Sequence, residues 1–255
     1  MGRAHAGARQ ARAAQLGIWL AIVGAWEMAP RLGAISPLIL PPFSVVALRA
    51  LEFVTTPSIL EAFGITFGLA ALAFALALTA GLALGLLIGA NRFAEAVVDP
   101  FATTLASTPK SMFLPLFILV LGFGYRTEVL FSVLYGFFPI LLTTVAGIRQ
   151  VKPSLVTKAR SLGASPRQIY TKVILPSIVP TVFSGVRIGL NFTLLGVLLV
   201  EMIAPQSGIG RLMVIARDTL DARDVMAYIL MTALVAMALN HWLLAGEERL
   251  NRWRA

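Results

Sequence analysis

The feature that most constrains this chain is the long run from Ala62 to Asn91, which contains no charged side chain. A helix of about 20 mostly apolar residues crosses the roughly 30 Å of hydrocarbon in a bilayer. Over the whole sequence, 58% of residues are hydrophobic and 13% are charged, against about 45–50% and about 25% in soluble domains. This composition excludes a soluble globule and a disordered chain, so the sequence predicts a membrane protein.

Five further apolar segments accompany this run and predict an all-α polytopic protein. The segment 99–124 contains three prolines and Lys110, so we expect a kinked or two-part helix, because proline removes a backbone donor. Arg187 and Glu201 lie in the segment 176–203, and the cost of charge in lipid favours a span that faces protein. The six predicted transmembrane helices, in one domain over 1–255, cover about 13–28, 62–91, 99–124, 129–148, 176–203 and 225–246.

Charged residues are divided unequally between the two sides that six spans define. The side with both termini collects 13 of the 21 Lys and Arg residues and four of the 12 Asp and Glu residues. The other side holds six of each, so the net charge of +9 falls on one side. By the positive-inside rule that side is cytoplasmic, and we predict that both termini are cytoplasmic. The basic charge therefore indicates topology, with lipid and not nucleic acid as the surroundings.

A polar loop over 149–175, between the fourth and fifth spans, holds six of these basic residues and no acid. It predicts two short helices, Ser154–Leu162 and Pro166–Lys172, with Gly163 in the left-handed conformation that ends the first. Composition alone fits a solvated loop that only sets topology as well as it fits a docking element for a soluble partner. In a docking element, the small residues Ala159, Gly163 and Ala164 would enter a cleft of the partner. The cations of Lys158, Arg160 and Arg167 would meet acidic residues around that cleft.

The motifs in this loop resemble the EAA loop of ABC importer permeases. That family's pattern is Glu-Ala-Ala, three residues, Gly, nine residues, then Ile-x-Leu-Pro. Here Gly163 is followed at the same spacing by Val173 to Pro176, while Thr157 and Lys158 stand where the family has Glu and the first Ala. Five other stretches resemble motifs of the sulfonate/taurine/nitrate branch in the same order: 39–42, 108–116, 138–140, 160–165 and 201–210.

The resemblance implies a type I ABC importer permease (MetI-like) fold in the bacterial cytoplasmic (inner) membrane. It implies a permease subunit that forms the pathway for a small anionic solute, such as a sulfonate, taurine or nitrate, within a homodimer. A cytoplasmic ABC ATPase dimer would bind the 149–176 loop, and a periplasmic or extracellular solute-binding protein would deliver the solute. The coupling residues that it implies are Thr157, Lys158, Ala159, Arg160, Gly163, Ala164, Ser165, Val173, Leu175 and Pro176.

Enzymatic chemistry is not expected on this chain. The phosphate-binding pattern G-x-x-x-x-G-K-[ST] does not occur in it, so ATP and Mg belong on the partner ATPase and no cofactor is expected here. With no cysteine and two histidines, no metal site is predicted.

Glycines in two spans have the spacing of helix contact faces. Gly81, Gly85 and Gly89 lie four residues apart in the second span, and Gly185 and Gly189 repeat the spacing in the fifth. Such faces let helix backbones approach closely in lipid. They indicate packing within one subunit or, alternatively, a direct contact between two subunits.

Three polar residues in the fifth span are further candidates. Arg187 lies about 16 Å along a straight helix from Pro176, near the membrane centre, and Asn191 is one turn further on the same face. The pair either binds an anionic group in the pathway or satisfies internal partners. Glu201 is too far along the helix to pair with Arg187, and we expect it to order the turn at 204–210.

Two other classes of function remain as alternatives. Ser184 and His241 could form the Ser–His pair of an intramembrane serine protease, although Val182 departs from the Gly-x-Ser-Gly pattern of rhomboids. A channel or structural subunit without ATP coupling is the second alternative. A co-purifying ATPase that depends on the basic loop distinguishes the importer from both.

Overall fold

A computed structural model describes the backbone of residues 2–251 and the side chains of residues 14–248. All regular elements in this part of the chain are helices. Several residues of the topology prediction lie outside the described side chains: Arg3, Arg9, Arg12, Arg249, Arg252 and Arg254. Residue 13, where the first predicted span begins, lies outside them too.

The helices follow one another with short connections. A 3₁₀ turn, Lys110–Phe113, precedes the fifth helix, and a π turn, Tyr170–Ile174, joins the eighth to the ninth. In chain order they are α1 (Gly2–Arg31), α2 (Phe43–Val54), α3 (Pro57–Gly89), α4 (Arg92–Ser107), α5 (Leu114–Leu121), α6 (Tyr125–Arg149), α7 (Pro153–Ser161), α8 (Pro166–Ile169), α9 (Leu175–Ile203), α10 (Gly208–Asp218) and α11 (Ala222–Asn251).

Long apolar helices confirm the class of an all-α membrane protein. Among the described residues, four helical stretches have the length and composition to cross a bilayer: Pro57–Gly89, Tyr125–Arg149, Pro166–Ile203 and Ala222–Glu248. A bent pair, Arg92–Ser107 with Lys110–Leu121, makes a fifth if it is counted as one span. The predicted first span, 13–28, lies in α1, which is not among them. The count of six spans therefore stays a prediction.

The third predicted span is in two parts, and its first helix begins at Arg92 instead of residue 99. Asn91 caps α4 by accepting hydrogen bonds from the backbone N–H groups of Phe93 and Ala94. The helices bend by 87° at their break, where Thr108 is extended, a conformation that the ring of Pro109 favours for the residue before it. The ammonium of Lys110 donates to the Ala106 carbonyl at 2.8 Å, so it satisfies a helix-end acceptor.

Backbone contacts divide the chain into two compact units, residues 1–60 with 212–234 and residues 61–211 with 235–255. In the first unit, Arg49 of α2 donates to Asp224 of α11 at 2.6 Å. Hydrogen bonds to Asp224 and Glu52 raise the pKa of Arg49 above its usual value. The single domain over 1–255 stays a prediction.

The second unit is built around the antiparallel pair α6 and α9. Gly196 of α9 lies directly on the Ser132 backbone of α6, and Gly136 of α6 lies against the Gly189 carbonyl. Residues of α6 and α9 share a buried aromatic cluster with the start of α5: Leu114, Phe131, Tyr135 and Val200. Small residues on both helices therefore set the close approach on which this cluster depends.

The loop between α6 and α9 differs in part from its prediction. Its first helix, α7, ends at Gly163 in the left-handed conformation (φ +79°), which confirms the predicted helix end. The second is not a separate short helix, because Pro166–Ile203 is one continuous helical stretch. Pro176 has no N–H to continue the ladder, and a π turn, in which the Leu175 N–H donates to the Tyr170 carbonyl, widens the helix just before it.

Candidate functional site

The helix α7 and the turn after it form an exposed polar part of the second unit. No residue of α7 is buried among the side chains that the structure describes, and Leu162 at its end is 88% exposed. The left-handed turn is closed by hydrogen bonds from the N–H of Gly163 to Arg160 and from the N–H of Ala164 to Ala159. Of the predicted coupling residues, five are exposed and five half-buried: Thr157, Lys158, Arg160, Gly163 and Ser165, then Ala159, Ala164, Val173, Leu175 and Pro176.

A capping box fixes the start of α8. The Ser165 hydroxyl accepts from the Gln168 N–H at 3.3 Å, and the Gln168 side chain accepts from the Ser165 N–H at 2.8 Å. Two helix-end donors are thereby satisfied reciprocally, and Pro166 occupies the first turn, where no donor is needed. The chain between Gly163 and α9 is therefore held by its own local hydrogen bonds.

Both ends of this loop are attached to other helices of the second unit. At its start, Arg149 forms an ion pair with the nearly buried Glu95 of α4 and a second, at 3.4 Å, with Asp99. At its end, the Tyr170 hydroxyl donates to the Leu86 carbonyl of α3 at 3.0 Å. Sequence reasoning missed these contacts, since nothing local indicates which distant helix each residue meets.

The two glycine faces lie against neighbouring faces of α6, which meet at Ile140. A Cβ on Gly81 would lie 2.9 Å from Ile140, and one on Gly85 would lie 2.7 Å from Thr144. From α9, a Cβ on Gly189 would lie 2.7 Å from the same Ile140. The remaining two would come closer still to side chains of α6, Gly89 to Ile148 and Gly185 to Thr143. All five predicted glycines thus contact a helix of the same chain.

Arg187 and Asn191 have different surroundings although they lie one turn apart. The Arg187 guanidinium is 3.9 Å from the Glu247 carboxylate of α11, and the two side chains are 31% and 20% exposed. Asn191 lines a cavity of about 290 Å³. Its amide is set among apolar side chains of α3, α9 and α11: Phe67, Phe74, Leu194, Leu239 and Trp242. Arg187 thus has an internal partner, and Asn191 faces open space.

Glu201 orders the turn after α9, as the sequence predicts. Its fully buried carboxylate accepts from the Gly210 N–H at 2.8 Å and from the Thr66 hydroxyl at 2.7 Å. The Thr66 oxygen in turn accepts from the Ile209 N–H at 2.8 Å. This Glu201 latch, made of Thr66, Glu201 and residues 208–210, joins α3, α9 and α10. Thr66 was missed because a threonine in an apolar helix carries no local signal.

Ser184 is not part of a nucleophilic pair in the structure. Its hydroxyl donates to the Pro180 carbonyl of its own helix at 3.3 Å, as serines in membrane helices commonly do. His241 is exposed on α11.

A family model described as "Binding-protein-dependent transport system inner membrane component" matches residues 77–254. The match extends over more than half of the chain and contains the whole of the α7 loop. The chain belongs to this family.

Three curated permeases are similar to this one over most of its length. The putative aliphatic sulfonates permease SsuC of Bacillus subtilis is 31% identical, over 91% of this chain and 84% of its own. SsuC of Escherichia coli K12 is 33% identical, over 84% of this chain and 81% of its own. The taurine permease TauC of the same strain is 28% identical, over 93% and 88%.

Solved ABC transporters share the fold of this permease. A chain of an amino acid ABC transporter superposes with a TM-score of 0.65 at 19% identity, covering 78% of this chain and 97% of that one. A chain of the inward-facing MetNI methionine transporter superposes with a TM-score of 0.64 at 16% identity, covering 73% of this chain and 93% of that one. These superpositions confirm the MetI-like fold.

Membership of the family confirms the main functional prediction. The chain is the permease subunit of an ABC importer of the inner membrane, and it is not an enzyme. The serine protease and the channel without ATP coupling, the two alternatives, are therefore wrong. A permease of this family works with an ATPase and a solute-binding protein.

Proposed function

We propose that this permease is one half of a homodimeric pathway for a small solute that carries an anionic group, of the sulfonate or taurine class. In this proposal a cytoplasmic ATPase dimer, which binds ATP and Mg, docks on the 149–176 loop. The observation that carries it is the α7 loop, which is exposed and basic at its tip and attached at both ends to long helices.

The attachments explain how the loop would transmit movement. An ATPase that displaces α7 pulls on α4 through Arg149 and on α3 through Tyr170. Because the Gly163 turn and the Ser165 capping box hold α7 and α8 rigidly, displacement passes to these helices instead of being absorbed locally. The ten predicted coupling residues lie on α7, on the turn after it and on the helical stretch that begins at Pro166.

An anionic solute is supported by the names of the relatives and by one basic residue inside the fifth span. SsuC and TauC are described as permeases for aliphatic sulfonates and taurine. In this proposal Arg187 attracts the anionic group and the Asn191 amide donates to it at the edge of the apolar cavity. The weak pairing of Arg187, at 3.9 Å from Glu247, leaves its donors available.

Orientation and assembly complete the proposal. The basic side of the six predicted spans faces the cytoplasm, with both termini there, and the solute-binding protein docks on the opposite side. The glycine faces serve packing within the subunit, since all five contact α6. The interface between the two copies is therefore sought elsewhere on the subunit.

Charge reversal in the loop tests the docking assignment. The double variant Lys158→Glu with Arg160→Glu should weaken binding of the cognate ATPase at least about tenfold, because repulsion replaces attraction at the rim of the interface. The readout is co-purification and titration of the ATPase against the permease in nanodiscs. Arg126→Glu, which reverses an exposed charge on the other predicted side, is the control and should leave affinity unchanged.

The backbone of the turn offers a second variant. Gly163→Val strains the left-handed turn although there is open space around the position. We expect it to weaken ATPase binding, whereas Gly122→Ala, a left-handed glycine in open space outside the loop, should not. Full ATPase binding by both loop variants would contradict the docking assignment.

A further inference from the structure

The same hydrogen-bonded helix end occurs at three places in the described chain, and its left-handed position is not glycine at the third. In each, the left-handed residue donates its N–H three residues back and the next N–H donates five residues back. Gly33 and Ala34 end α1 in this way, and Gly163 and Ala164 end α7. After α10 the same bonds run from Leu220 to Arg217 and from Asp221 to Ala216. The left-handed position is thus glycine twice and leucine once.

Leucine is an unfavourable residue for this position. Leu220 has φ +57° and is the non-glycine residue with positive φ among those described. Its Cβ crowds the backbone in this conformation, which glycine avoids. Packing does not compensate, because the side chain is 84% exposed. A side chain that is both strained in its backbone and exposed on the surface is best explained by a contact outside the folded chain.

A second exposed leucine faces the same space. Leu38, 82% exposed, lines with Leu220 a concavity of about 450 Å³ in the first unit. Its segment is held by the N–H groups of Ile39 and Leu40, both of which donate to the Ser36 carbonyl. The concavity is thus apolar where the two leucines meet it.

The other wall is fixed by Asp221, which caps the next helix. Its carboxylate accepts from the Arg223 and Asp224 N–H groups at 3.1 and 3.3 Å. It also pairs with the Arg223 guanidinium at 3.4 Å. Both walls are therefore preorganised, and the apolar centre has a polar rim, as protein–protein contact sites do.

We propose that Leu38 and Leu220 form the contact point for the solute-binding protein, which inserts an apolar side chain between them. The occupant is argued from membership of a binding-protein-dependent family and from topology, because both residues lie in segments predicted to face outward. The inference rests on the proposed function, which supplies that orientation. The paired, neutral rim fits a partner that must bind and leave in every cycle.

Leu220→Gly gives a direct test without loss of folding. Glycine suits the turn, as it does at Gly33 and Gly163, so thermal stability should be unchanged or higher. The Kd of the solute-loaded binding protein for the permease–ATPase assembly in nanodiscs should rise about tenfold. Leu38→Ala should act similarly. Leu51→Ala is the control, because Leu51 is 65% exposed in the same unit and does not line the concavity.

A thiol-protection experiment identifies the occupant. The chain has no cysteine, so Leu220→Cys carries a single thiol. The solute-loaded binding protein should protect this thiol from a membrane-impermeant maleimide and leave Leu51→Cys reactive. Equal labelling with and without the binding protein would overturn the inference. So would a disulfide between two permease copies in its absence, since that outcome assigns the surface to a second copy.

Failure of this inference differs from failure of the proposed function. If the ATPase and binding protein bind but Leu220→Gly has an unchanged Kd, the contact point alone is wrong. If neither protein binds the unmodified permease, the proposed function fails and the contact point fails with it.

Discussion

At the scale of single residues, the Glu201 latch shows how a fully buried carboxylate is satisfied inside the protein. A buried carboxylate is costly unless hydrogen bonds satisfy it. Thr66 and the Gly210 N–H satisfy Glu201, and they do so only while α3 and α10 stay in place. The latch therefore couples the position of the turn after α9 to the second predicted span.

Gly208 is the residue of the latch most sensitive to substitution. It has φ +79°, and a Cβ there would overlap the Glu201 carboxylate and lie 2.6 Å from the Thr66 hydroxyl. Gly208→Ala should destabilise the permease by about 2 kcal/mol or more, because backbone strain and loss of the hydrogen bonds add. Gly122→Ala, at φ +76° in open space, should carry the backbone cost alone. Thermal unfolding in detergent compares the two, and equal losses would show that the latch contributes nothing.

Arg187 distinguishes a transport role from an internal one. If it binds the anionic solute, Arg187→Ala should lower sulfonate or taurine uptake at least about tenfold, whereas Glu247→Gln should retain uptake because the guanidinium is kept. Uptake in proteoliposomes containing the complete transporter is the measurement. Equal loss in both variants would assign Arg187 to its pair with Glu247, and undiminished uptake with unchanged selectivity would remove it from the pathway.

At the scale of helices, α6 is held between two glycine faces. Gly81, Gly85 and Gly89 contact it from α3, and Gly185 and Gly189 contact it from α9. Ile140 lies at the centre, since its side chain meets both Gly81 and Gly189. In lipid no hydrophobic drive brings helices together, so this close packing supplies the association.

Gly85→Ala should separate α3 from α6. The added methyl group would lie 2.7 Å from the Thr144 Cβ and 3.2 Å from the Leu141 carbonyl, and overpacking of this kind costs about 1–3 kcal/mol. Gly68→Ala on the same helix, with open space around it, should stabilise by about 0.5–1 kcal/mol. Thermal unfolding of the two single variants gives the comparison. A stability loss in Gly68→Ala as large as that in Gly85→Ala would contradict the assigned contact.

At this scale the sequence predicts which face of a helix makes a contact, but not which distant helix it contacts. The spacing of Gly81, Gly85 and Gly89 identifies a contact face, but the partner helix depends on residues more than 50 positions away. The hydroxyl of Tyr170 meets a carbonyl 84 residues away and that of Thr66 a carboxylate 135 residues away. The continuity of α8 with α9 was also missed, because Pro176 predicts a break that the π turn accommodates.

At the scale of the whole molecule, the basic residues are concentrated in the same loop that is proposed to dock the ATPase. All six basic residues of the 149–176 loop are exposed, and the motifs of this loop resemble the EAA loop of ABC importer permeases. In the proposed orientation, one set of charges would both retain the loop in the cytoplasm during insertion and offer cations to a soluble partner. The fold alone does not determine the orientation, since a helical bundle can be inserted either way.

Single cysteines test the orientation directly, because the chain has no native thiol. Ser36 and Ser154 are both exposed, and the predicted topology places them on opposite sides. A membrane-impermeant maleimide should label Ser36→Cys in intact cells, and should label Ser154→Cys only after permeabilisation. Reversed labelling would place the basic side outside. The α7 loop could then not meet a cytoplasmic ATPase, nor could Leu38 and Leu220 meet an external binding protein, so this measurement bears on both docking assignments at once.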